Sequence, residues 1–185
     1  MLSPLQSIRL TFLSLVLYCF IIIINATTLT FHEAYSPLFS EFNIHPSPDD
    51  KTVRLLLNHL PGSGIISSDY YNYGFFSASI KMPSQHAAGI VVAFYTSNVD
   101  TFEKNHDELD IEFLGSIKGK PWRFQTNMYG NGSVSRGREE RYQMWFDPTT
   151  DSHRYSILWA PTNIMGLIIC PLSFCLGKLV LYPFE

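Results

Sequence analysis

Residues 108–114 read E-L-D-I-E-F-L, three carboxylates alternating with apolar side chains. In an extended strand, positions i, i+2 and i+4 share a face. The pattern therefore sets Glu108, Asp110 and Glu112 on one side, and Leu109, Ile111 and Phe113 against a hydrophobic core. Like charges gathered on one face repel, so at least one of the three acids is expected to hold its proton to a higher pH than an isolated carboxyl does.

The same geometry suits a reaction. Four residues of strand separate the two glutamate Cα atoms by about 13 Å, and each side chain can lean inward by roughly 3 to 4 Å. The carboxyl groups can then approach the ~5 to 5.5 Å spacing of a retaining glycosidase pair, with Asp110 between them to hydrogen-bond one of the two. Spacing alone leaves other readings open. Three acids on a strand face could also bind Ca²⁺ through oxygen ligands or form a solvated sheet surface. His106 and Asp107 directly precede the motif and could tune it.

Short β-like runs broken by Gly, Pro, Asn and Asp fill residues 27–163. Strands are expected over 52–58, 65–68, 74–82, 89–95, 108–114, 122–129, 140–146 and 153–159. In 74–82, Phe76, Ala78 and Ile80 alternate with Phe75, Ser77 and Ser79. The run 89–95 (G-I-V-V-A-F-Y) is apolar nearly throughout, which predicts a central strand covered on both faces. No long helical period is present, and seven or more short strands with turns argue for a sandwich or barrel.

Arg9 followed by the apolar run 10–24 and the small Ala26 has the form of a secretory signal over residues 1–26, with an uncleaved membrane anchor as the alternative. Of the three cysteines, Cys19 falls in it, leaving Cys170 and Cys175 to meet an oxidising compartment. A formal net charge of -3, with no Lys/Arg-rich run, offers no field for gripping a phosphate backbone, so no nucleic-acid partner is expected. Asn131-Gly132-Ser133 is a glycosylation acceptor sequence in a turn-like context.

The stretch H-D-E-L-D-I-E-F-L-G resembles the active-site motif of the plant xyloglucan endotransglucosylase/hydrolases, members of glycoside hydrolase family 16. S-P-L-F-S-E-F-N, V-R-L-L-L-N, G-F-F-S-A-S-I-K, Q-T-N-M-Y-G-N-G-S, R-G-R-E-E-R-Y, W-F-D-P and H-R-Y-S-I-L-W extend the likeness, in order, from about Phe31 to Asn163. The resemblance implies an all-β, concanavalin A-like jelly-roll sandwich and a secreted, cell-wall enzyme. It also implies no cofactor or metal, no stable membrane association and a monomer acting on xyloglucan with oligosaccharide acceptors.

Carried over residue by residue, the resemblance makes Glu108 the nucleophile, Asp110 its helper and Glu112 the acid/base. Gln125, Thr126, Asn127, Gly137, Arg138 and Glu139 fall where the family contacts the polysaccharide. The residues themselves are compatible, since amides pair with hydroxyls and Arg138 offers a planar fork. Without the resemblance, the charges from Arg138 to Arg141 read as a solvated run. Tyr129, Trp122 and Trp145 could stack on sugar rings or pack in the core.

After Asn163 the texture changes to an apolar, almost uncharged stretch. A membrane span and a buried terminal strand pair are both compatible with it. Against the family pattern, residues 164–185 are expected to be a divergent tail following a partial domain at 27–163, which leaves a sandwich incomplete at its C-terminus. Catalytic impairment, with glycan binding only, or failure to fold are the alternatives to an active enzyme on that account.

Overall fold

The computed structural model describes residues 29–58, 62–84, 87–133, 139–169 and 180–183. The proposed signal, Gly137, Arg138, Cys170 and Cys175 lie outside these residues, as does most of the apolar tail. The chain divides into two compact units, Met1–Tyr70 and Tyr71–Glu185.

In the first unit a one-turn helix, Phe31–Ala34, leads into β1 (Tyr35–Phe39), which pairs antiparallel with β4 (Ser63–Ser67). Between them β2 (Ile44–Pro46) pairs with β3 (Val53–Leu55). Asn43, only 1% exposed, exchanges side-chain amide hydrogen bonds with Asn58 at 3.1 and 2.7 Å. This satisfies polar groups that would otherwise be costly to bury.

The second unit is two four-stranded antiparallel sheets. One has the order β6 (Val91–Ser97), β7 (Glu108–Leu114), β8 (Arg123–Tyr129), β9 (Glu140–Gln143). The other has the order β12 (Val180–Pro183), β11 (Asn163–Ile169), β10 (His153–Ala160), β5 (Gly74–Ile80). Leu109, Ile111 and Phe113 from β7, with Phe124 from β8, meet Tyr155 and Ile157 from β10 in one buried cluster. Phe113 is fully buried, its ring 4.4 Å from that of Tyr155. Two apolar sheet faces closed on each other thus form the core, and Phe76 and Ile80 of β5 pack against it as their alternation predicts.

One expectation needs correcting. Among the described strands β6 lies at the edge of its sheet, and it alternates exposed with half-buried residues rather than being covered on both sides. Val91 and Tyr95 are 51% and 43% exposed. Their apolar character belongs to an open face, which composition cannot separate from a buried one. After β10 the sheet continues through β11, which pairs with β10 from Asn163 to Ile169 and with β12 from Asn163 to Gly166. The change of texture therefore falls inside a strand. Among the described residues no helix is long and apolar enough to cross a membrane.

The β7–β8 sheet is tied down at one end by a tight turn. Asn131 and Gly132 have φ of 54° and 66°. The Asn131 amide donates to Asp107 Oδ1 at 2.8 Å, and the Gly132 amide donates to the His106 carbonyl at 2.8 Å. A Cβ on Gly132 would lie 1.8 Å from the Lys104 carbonyl oxygen. Gly132→Ala is therefore expected to cost more than about 2 kcal/mol, from left-handed strain plus a backbone clash that no rotamer relieves. Urea denaturation checks this, and a midpoint equal to wild type would show that the turn is not held as described.

Candidate functional site

β7 alternates as the sequence predicts, with Leu109, Ile111 and Phe113 buried and Glu108, Asp110 and Glu112 half-buried on the opposite face. The register adds what the sequence could not supply. Glu108 lies between Ser97 and Tyr129, Asp110 between Tyr95 and Asn127, and Glu112 between Ala93 and Gln125. These flanking residues form the banks of the acid face.

The Asp110 carboxyl is raised to about 7, by burial first, then by the Glu108 and Glu112 charges and by a hydrogen bond to Glu108. In its protonated form Asp110 donates to Glu108, which holds that carboxylate in place. The Tyr95 hydroxyl is also pushed up, by burial first and then by Glu108 and Asp110. The crowding expected from the spacing is thus relieved at the middle acid.

A consequence for stability follows. Because the folded chain binds the Asp110 proton more tightly than the unfolded chain, stability falls as pH rises from about 4 to about 7, and the whole cost is present above that window. Asp110→Asn removes the titration. Its urea midpoint relative to wild type should therefore be higher at pH 8 than at pH 5. The same difference at both pH values would show that the carboxyl is not raised.

Of the expected substrate contacts, Gln125 and Asn127 share the acid face, paired with Glu112 and Asp110. Gln125 Nε2 donates a hydrogen bond to Glu112 Oε2. Asn127 Oδ1 accepts the Met128 amide at 2.9 Å. Thr126 lies on the opposite face. It pairs with Ile111 on the core side, and its Oγ1 is buried without a hydrogen-bond partner. A two-residue period cannot present three consecutive residues to one groove.

Glu139 is exposed and accepts from Arg141 Nη2 at 3.1 Å. Arg141, assigned no role by the motif, donates to Gln125 Oε1 from Nε at 2.9 Å and from Nη2 at 2.6 Å. Its part was hidden because the charged run shows no cross-strand register in the sequence. Trp122 is buried in the core, and Trp145 packs edge-on to Phe124 and Phe146. Of the three candidate stacking rings, Tyr129 is the one paired with an acid, beside the ring of His106 at 5.8 Å. Asp107 is engaged with the turn amide rather than with the acids. Among the described residues no His/Cys/Asp/Glu cluster could hold a metal ion.

Residues 31–168 match the family profile described as glycosyl hydrolases family 16. The chain belongs to this family. Two family 16 relatives from Arabidopsis thaliana are "Probable xyloglucan endotransglucosylase/hydrolase protein 30" and "protein 29" of the same name. They are 65% and 64% identical to it over 141 residues, which is 76% of this chain but 41% and 40% of theirs. The chain thus spans about two fifths of the length of the curated relatives it matches. Among solved structures, Bacillus licheniformis beta-glucanase superposes with a TM-score of 0.63 at 24% identity, over 81% of this chain and 72% of that one. That likeness bears on the fold, and it agrees with the all-β jelly-roll sandwich expected for a family 16 chain.

Proposed function

We propose that this family 16 chain cleaves the β-1,4-glucan backbone of xyloglucan with retention and passes the cut end to a sugar or water acceptor. The observation that carries this reading is the placement of Glu108 and Glu112 on one strand face, with a hydrogen-bonded Asp110 between them. The names borne by its relatives supply the substrate.

A Glu108 oxygen attacks the anomeric carbon while the glycosidic C–O bond breaks, and the departing oxygen takes the proton of Glu112. In the second half, an acceptor hydroxyl gives its proton to Glu112 as its oxygen displaces Glu108 from the same carbon. Two displacements restore the β configuration. Asp110 orients the nucleophile, and Gln125, Asn127 and Glu139, with Gly137 and Arg138 of the motif, meet the sugar hydroxyls. The protein is secreted to the cell wall and acts as a monomer. It is glycosylated at Asn131, whose exposed position on a tight turn suits an attached glycan.

The test is to incubate the secreted protein with xyloglucan and a fluorescent xyloglucan oligosaccharide. Label should enter the polymer through a new β linkage, or new reducing ends should form. Binding of the polymer with neither outcome would leave a glycan-binding sandwich and overturn the reading.

A further inference from the structure

One straight row of cross-strand neighbours crosses the acid-bearing sheet: Ala93, Glu112, Gln125 and Arg141, one residue from each strand. The last three are joined head to tail. Arg141 delivers two donors, Nε at 2.9 Å and Nη2 at 2.6 Å, to the single oxygen of the Gln125 amide. Glu139 accepts from the same Nη2 at 3.1 Å and so further restrains the guanidinium. With its oxygen engaged, the amide presents its nitrogen to Glu112 Oε2.

A glutamine amide can rotate by half a turn at little cost, because its two ends have nearly the same shape. Here the charges decide. Rotation would aim a carbonyl oxygen at a carboxylate and an NH₂ group at a guanidinium, trading two attractive contacts for two repulsive ones. The rigid fork of arginine suits this task, because both of its donors converge on one acceptor without further side-chain ordering.

We propose that Arg141 is a positioning residue for the reaction: through Gln125 it fixes the donor that holds the Glu112 carboxyl in its working orientation. Arg141 needs no contact with sugar to act in this way. The inference rests on the reading of Glu112 as the acid/base, while its physical core, the locked amide, does not require turnover.

The full-length chain is compared with Arg141→Met, Arg141→Lys, Gln125→Met and the Arg141→Met/Gln125→Met double variant. The Arg141 side chain is half exposed, so its loss should leave the fold intact. With xyloglucan and labelled oligosaccharide, Arg141→Met should lower kcat roughly 10- to 100-fold with KM within about twofold, the signature of a misplaced reacting group. Arg141→Lys, which still supplies a donor to the amide oxygen, should recover most of the loss. The double variant should be no slower than Gln125→Met alone, since the two residues act in series.

An independent readout is the side-chain NH₂ resonances of Gln125 without substrate. They should be distinct and slowly exchanging in wild type, and averaged toward free glutamine in Arg141→Met. Unchanged resonances, additive losses, or a raised KM at constant kcat would overturn the proposal. A wild-type chain that turns nothing over but shows the resonance change would sink the proposed reaction while leaving the locked amide standing.

Discussion

Glu108→Gln should abolish turnover of xyloglucan, by roughly 10⁴-fold or more, while polymer binding changes by only a few-fold. Glutamine keeps the shape of the side chain and an oxygen to accept the hydrogen bond from Asp110. Under the proposed reaction it lacks the negative charge that attacks the anomeric carbon, so no glycosyl-enzyme forms, and losing a nucleophile of this kind typically costs at least ~10⁴ in kcat. The substitution also removes one of the two carboxylates that raise Asp110. The variant's Asp110 should therefore titrate nearer the ordinary carboxyl range. Label incorporation and mass spectrometry of the trapped adduct check the first expectation. Residual activity above about 1% of wild type, well over the residue such a loss leaves, would remove Glu108 from the nucleophile's place.

Phe113→Ala should be the most destabilising single truncation in β7, at about 3 to 5 kcal/mol. Phe113 is fully buried and tilted against Tyr155 of the opposite sheet, so the lost ring leaves a void between two sheets whose spacing is held by many other contacts. That is a large share of the roughly 5 to 15 kcal/mol that holds a typical domain together. A chemical-denaturation midpoint close to that of wild type would mean that this ring is not a principal contact between the sheets. Because Phe113 directly follows Glu112 on the strand, activity per folded molecule should fall as well, through the loosened seat of the neighbouring acid.

The bounds of β7 and the inward placement of its apolar residues were legible because a two-residue period along seven residues has one solution at a core. The same rule places Thr126 on the face opposite Gln125 and Asn127, a division that a motif covering all three does not show. β6 was misplaced because an apolar run looks alike under a second layer and on an open sheet face. The pairing of Glu112 with Gln125, and of Gln125 with Arg141, depends on register across two turns. Nothing local to either segment encodes it. β1 escaped notice because Pro37 interrupts a mostly exposed run.

The division of labour on β7 limits where such a catalyst can be tuned. Every second position of the strand is locked into the sandwich, and under the proposed reaction the remaining acids carry the chemistry, so the strand itself has almost no freedom to vary. Variation in rate or acceptor preference must instead come from its two neighbours. Tyr95, Asn127 and Tyr129 flank the acids without belonging to the buried cluster, and libraries built at those three positions should change selectivity at little expense to folding.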